Sequence, residues 1–225
     1  MKLPITNRLI TVSDMVKKAD ILCDIGCDHG YLPIKLLLEG KISFAYGCDI
    51  NEGPLKAARK NFDRFSLTDK VELRISDGLK GLTDVEFDVV TICGMGGRLI
   101  SKILYEGIIN RETGKNQIIL QPMTEAVLLR EFLYKNGFYI VTEELAREDT
   151  RFYNIIEISK GKGQEISLLD MYTGLSFINR NNRYLDEYLE KQNKKFAKIY
   201  QLKKDYEDVN QLKKTIFELN NYIKK

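Results

Sequence analysis

Residues 20–31, read D-I-L-C-D-I-G-C-D-H-G-Y, constrain this chain more than any other stretch. The apolar run Ile21–Ile25 is a short buried strand that breaks at Gly26 and re-enters a helix near Gly30. Strand, glycine turn and helix in that order are how an α/β domain builds a small-molecule mouth. The loop backbone at the carboxyl end of a parallel strand can approach a ligand closely.

A dinucleotide fingerprint would read G-x-G-x-x-G, with its second glycine leaving room for a pyrophosphate. Here the position two after Gly26 is Asp28, which sets a carboxylate against such phosphates. An NAD-linked oxidoreductase is therefore disfavoured. The acid-rich turn suits a ligand with a cationic end, such as the amino group and sulfonium of S-adenosylmethionine. Asp49 closes the apolar run 42–48, where an acid at the end of a second strand accepts hydrogen bonds from a ribose diol. Two readings of the loop stay open: an ordinary βα turn with Asp24 and Asp28 as helix caps, or a cofactor cradle. Asp49 in register favours the cradle.

The rest of the chain repeats the alternation. An amphipathic helix over 6–18 carries Arg8, either a solvated surface side chain or a substrate contact. Further helices are expected over 29–39, 51–65 (Asn51 as N-cap, Pro54 just inside), 98–107 and 125–135. Strands are expected at 42–48, 71–75, 87–93 and 117–121. The segments 138–145 and 152–159 have no helix between them and read as a closing hairpin, the second strand antiparallel to the sheet. The fold class is α/β, a Rossmann-like doubly wound sheet.

Composition shifts near Lys160 to Lys, Asn, Tyr and Leu. This divides the chain into a ligand-binding domain, 1–160, and a C-terminal segment, 161–225. Leu185, Leu189, Gln192, Phe196 and Ile199 step by four and three, as do Val209, Leu212, Ile216, Leu219 and Ile223. Two such seams predict an antiparallel coiled-coil hairpin turning at 205–208. Its lysines, among them Lys194, Lys195, Lys198, Lys203, Lys204, Lys213, Lys214, Lys224 and Lys225, are either its wet side or a phosphate grip.

A net charge of +3 is too mild to mark a nucleic-acid binder by itself. No apolar run approaches a membrane span, and the first residues lack the apolar core of a signal peptide. Cys23, Cys27, Cys48 and Cys93 form no C-x-x-C pair, and with His29 the only histidine no metal site is expected. Reduced cysteines point to the cytoplasm.

Four segments in order carry a resemblance: D-I-G-C-D-H-G-Y-L-P at 24–33, C-D-I-N at 48–51, S-D-G-L at 76–79 and C-G-M-G-G at 93–97. Over its whole length the chain resembles the bacterial TrmK family of class I methyltransferases, which methylate N1 of a D-arm adenine at tRNA position 22. The resemblance implies S-adenosylmethionine as cofactor, S-adenosylhomocysteine as product and tRNA as partner. A monomer rather than a dimer is expected, with no membrane and no metal. Asp24, Gly26, Cys27, Asp28 and His29 would hold the methionine part and Asp49 the ribose. Ile50 would lie on the adenine ring, Asp77, Gly78 and Leu79 at its edge, with Gly94 also at the cofactor. The glycine-dense 94–97 turn offers no acid or amide side chain, so Met95, Gly96 and Gly97 would meet a flipped base through backbone. Arg8 and Tyr31 are further substrate candidates, and Tyr153 a stacking one.

Adenine N1 lies on the Watson–Crick edge, so the base must be extruded before an in-line methyl transfer. Asp28 is the catalytic candidate, a carboxylate to stabilise charge arriving on the base; the other readings leave it binding the cofactor's amino group or capping the helix. His29 is the weaker general-base candidate. Rival functions are methylation of a small metabolite or another RNA, and a non-catalytic RNA-binding module with a retained pocket.

Overall fold

The computed structural model describes residues 2–109, 116–162, 165–202 and 209–223. Helix α1 (Asn7–Met15) leads into β1 (Ile21–Ile25), α2 (Tyr31–Leu38), β2 (Phe44–Asp49), α3 (Glu52–Arg64) and β3 (Val71–Ile75). Then follow β4 (Val89–Gly96), α4 (Gly97–Gly107), β5 (Gln117–Thr124), α5 (Ala126–Lys135), β6 (Phe138–Glu148) and β7 (Arg151–Lys160). The chain continues through α6 (Leu168–Thr173), α7 (Leu185–Leu202) and α8 (Val209–Ile223).

The seven strands form one sheet in the order β3-β2-β1-β4-β5-β7-β6. The first five are parallel, and β7 inserts antiparallel between β5 and β6. The order reverses between β1 and β4, the place where α/β sheets open a crevice for ligands.

Alternating side chains on each strand feed two separate cores, because successive residues point to opposite faces. Cys23, Ile25, Val90, Ile92, Ile118 and Leu120 pack with Ile100, Ile103, Leu104, Leu129 and Leu133 of α4 and α5. Leu22, Ala45, Val89, Ile119 and Ile155 pack with Val12, Leu32, Ile34, Leu36, Ala58 and Phe62 of α1, α2 and α3. The result is a three-layer sandwich whose strand ends are fixed from both sides.

The elements depart from the sequence reading where neighbours, not local propensity, decide. β4 was expected to stop at Cys93 with a glycine loop after it. It instead runs to Gly96, because β5 also extends and pairs Met95 with Pro122 and Gly96 with Thr124 across a bulge. Asn51 is the N-cap of α3, yet its side chain makes no cap bond; its amide donates to Oδ1 of Asp49 instead. Gly137, at φ +73°, takes the left-handed position after α5 that the Asn136-Gly137 pair anticipates.

A third core joins the C-terminal helices to the β6–β7 hairpin: Leu145, Leu175, Ile178, Leu185, Tyr188, Leu189, Phe196 and Leu219. Asn193 Nδ2 on α7 donates to Asn220 Oδ1 on α8 at 2.7 Å. Beneath this core Arg130 of α5 and Glu143 of β6 form a two-pronged ion pair, 2.8 and 2.7 Å, with both side chains wholly buried. The expected turn at 205–208 and Lys203, Lys204, Lys224 and Lys225 lie outside the described residues, as do the side chains of Val209, Leu212, Lys213 and Ile223.

Candidate active site

The cleft opens at the switch point, over the carboxyl ends of β1, β2 and β4. It holds about 330 Å³ and is lined by Asp24, Gly26, Cys27, Asp28, His29, Tyr31, Asp49, Cys93, Gly94, Met95 and Arg8, with Leu9 and Leu32. The six residues expected at the methionine and ribose end of a cofactor therefore all meet in one place.

Asp24 is the next-to-last residue of β1, in register with Thr91 of β4, whose hydroxyl donates to its Oδ1 at 2.6 Å. Both side chains are buried. Burial pushes the Asp24 carboxyl up to about 6 from 3.8, and the Thr91 hydrogen bond pulls the other way. The turn that follows is held by β2: the amides of Gly26 and Cys27 both donate to the Cys48 carbonyl, at 2.8 and 2.9 Å. Gly26 has φ +74°, and a Cβ there would stand 2.2 Å from the Met95 Cε, so Met95 occupies the space beside the glycine.

Asp28 adopts φ +48°, a left-handed conformation that short polar side chains tolerate. Its carboxylate is largely exposed, 3.7 Å from His29 Nε2. The His29 ring stacks on Tyr31 at 5.5 Å and 18°. Asn61 of α3 donates to the His29 carbonyl at 2.9 Å and pins the loop from behind. Cys27 and Cys93 line the cleft and Cys48 lies behind it in the core; burial, with the Asp24 charge as the next cause, pushes all three thiols up, which disfavours the thiolate form.

Several expected site residues lie elsewhere. Ile50 is 64 % exposed and does not line the cleft. The Asp77 carboxylate pairs with Lys80 at 2.6 Å, which holds it below the usual range. Leu79 is a core residue packed beside Gly107, and Gly78 faces Ile103. Gly96 sits in the extended β4 ladder, and Gly97 starts α4, where a Cβ would stand 2.3 Å from the Glu125 carbonyl oxygen. Gly97 thus has a packing duty. Tyr153 is buried in the core, with the Arg8 guanidinium 5.9 Å above its ring. Arg8 is not a solvated surface arginine: its amide and Nη1 bond to Glu148 Oε1 and Gln121 Oε1, at 2.9 and 2.6 Å.

Sequence reasoning missed Thr91 and Gln121. Each is a polar residue inside an apolar strand, T in V-V-T-I-C and Q in I-I-L-Q-P, and that interruption is the signal that points to them.

Residues 5–156 match a family model described as a methyltransferase domain. The tRNA (adenine(22)-N(1))-methyltransferase of Bacillus subtilis is 36% identical over 160 residues, covering 71% of this chain and 67% of that protein. The chain belongs to this methyltransferase family, the TrmK family. The crystal structure of the B. subtilis M1A22 tRNA methyltransferase TrmK superposes with a TM-score of 0.78 at 31% identity, covering 99% of this chain and 97% of that one. TrmK of M. capricolum, solved with the cofactor product S-adenosylhomocysteine, gives 0.78 at 30% identity over 98% of each chain. The likeness to both TrmK structures thus includes the C-terminal helices.

Among the described residues no helix is long and apolar enough to cross a membrane, and no three His, Cys, Asp or Glu side chains group as metal ligands.

Proposed function

We propose that this chain transfers the methyl group of S-adenosylmethionine to N1 of adenine 22 in the D-arm of tRNA, releasing S-adenosylhomocysteine. The reading is supported by family membership and by one observation above all: an acid-lined cleft at the switch point with Asp24, Asp28 and Asp49 on its walls. Three carboxylates against the single arginine, Arg8, suit a ligand with a cationic end, so the residues fit the cofactor. Asp24 receives its amino group and Asp49 its ribose diol, while the Gly26 and Gly94 turns admit the chain of the ligand at backbone distance. Beyond Asp49, Ile50 and the 77–79 turn continue the row of strand ends towards the adenine. When bound, the cofactor supplies an electrophilic methyl on a sulfonium.

The protein's own part is positioning and charge management. An extruded adenine enters past the His29–Tyr31 stack, with Tyr31 as its platform and Met95 and Gly94 at its edge. Positive charge moves onto the base as N1 is alkylated. The exposed Asp28 carboxylate, fixed by a left-handed backbone, stabilises that charge and accepts a proton from N6. The C-terminal helices form an antiparallel hairpin whose lysines meet the tRNA backbone. The molecule acts as a cytoplasmic monomer.

The test is to incubate purified protein with radiolabelled S-adenosylmethionine and unmodified bacterial tRNA and to map the product nucleoside. 1-Methyladenosine at position 22 is the expected product. Cofactor binding without transfer to any tRNA would turn the assignment to a small-molecule substrate.

A further inference from the structure

One wall of the cleft is braced by Gln121 and Arg8, two side chains to which cofactor binding gives no part. At the rim, β4 and β5 slip: Cys93 pairs with Gln121 and Met95 with Pro122, so Gly94 is left over, at φ +78°. Its amide, lost to the ladder, donates to Gln121 Oε1 at 3.1 Å. Gln121 is fully buried, and its Nε2 donates to the Pro122 carbonyl at 2.8 Å. The same Oε1 accepts Arg8 Nη1 at 2.6 Å. Thus one amide oxygen, with its two lone pairs, fixes both the bulged glycine and a cation delivered by another element. Arg8 Nε remains buried with no hydrogen-bond partner, a donor lacking an acceptor on a residue that lines the cleft.

We propose that Gln121 is a positioning residue for methyl transfer: its side-chain oxygen sets the Gly94 turn and the Arg8 guanidinium in one geometry, leaving Arg8 to bind a phosphate oxygen of the target nucleotide. The inference rests on the tRNA methyltransferase reading above. A guanidinium beside N1 would oppose the charge arriving there, so Arg8 serves an acceptor away from that atom. A phosphate oxygen matches it best. Glutamine meets both demands at once, its oxygen accepting twice while its nitrogen donates to Pro122, and the proposal assigns the catalytic effect to the oxygen. Glutamate keeps the first function and methionine keeps only the shape.

The experiment compares wild type, Gln121→Met, Gln121→Glu, Arg8→Met and the Arg8→Met/Gln121→Met double variant in single-turnover transfer to unmodified tRNA. Cofactor affinity is measured separately by calorimetry. Wild-type protein that transfers no methyl to tRNA removes the reaction, and this proposal with it, before any variant is compared. With transfer established, Gln121→Met should bind cofactor within about 3-fold of wild type yet react about 10- to 100-fold more slowly, the scale of a misplacement near 1 Å. Gln121→Glu should recover most of that loss. Arg8→Met should raise the KM for tRNA, and the double variant should be no slower than Gln121→Met. Near-normal turnover by Gln121→Met, or a Gln121→Glu variant as slow as it, overturns the proposal. If Gln121→Met fails to melt cooperatively, Arg8→Met decides: wild-type rate and KM would overturn the role equally.

Discussion

Replacing Thr91 by valine keeps the shape of a fully buried side chain and deletes the hydroxyl that donates to Asp24 at 2.6 Å. A hydrogen bond to a charged group contributes about 1.5–3 kcal/mol, which corresponds to roughly one to two pKa steps at 1.36 kcal/mol each. The carboxyl, already raised to about 6 by burial, should therefore move up to roughly 7–8. At pH 7 the ionised fraction falls from about 0.9 to between about 0.5 and 0.1, so cofactor affinity drops about 2- to 10-fold if the ammonium needs the carboxylate. By pH 9 both proteins are almost fully ionised and the gap should nearly close. Calorimetric titration with S-adenosylhomocysteine from pH 6 to 9 measures this directly. A Thr91→Val affinity ratio that stays constant across that range would falsify the coupling of Asp24 to the cofactor's amino group. The stability sign is opposite to the binding sign. The folded carboxyl has a higher pKa than the unfolded one, so its contribution to stability is complete below about pH 4 and is lost as pH rises through about 6.

Asp28→Asn preserves a side chain that tolerates φ +48° and removes only the charge, so turnover at saturating cofactor should fall about 10- to 100-fold with cofactor affinity within about 3-fold. Unchanged turnover would leave Asp28 a binding or capping residue. Arg130→Met strands the Glu143 carboxylate in a site where both partners are wholly buried, and should cost about 3–5 kcal/mol by urea denaturation, largely restored by adding Glu143→Leu. Gly97→Ala places a Cβ 2.3 Å from the Glu125 carbonyl oxygen and should destabilise by about 1–3 kcal/mol; an unshifted urea midpoint would show that the Glu125 turn yields freely.

The sequence by itself determined the succession of strands and helices as far as β7, the closing hairpin, the glycine–acid turn at Gly26 and the strand-end acid at Asp49, but not the short helix α6. These are local properties: apolar runs, glycines at left-handed positions and acids at strand ends each declare themselves within a few residues. What happens after Cys93 was not legible, because G-M-G at 94–96 has the composition of a loop and becomes strand only by pairing with β5. That the Leu79 side chain packs in the core against Gly107 of α4 is equally invisible in S-D-G-L. Arg8 reads in the sequence either as a solvated helical arginine or as a substrate contact. Only the tertiary structure decided that it reaches Gln121, 113 positions away in sequence, and that Thr91 lies beside Asp24. Such contacts are set by strand order and register, which bring distant residues within hydrogen-bond reach and leave no trace in the spacing of either partner.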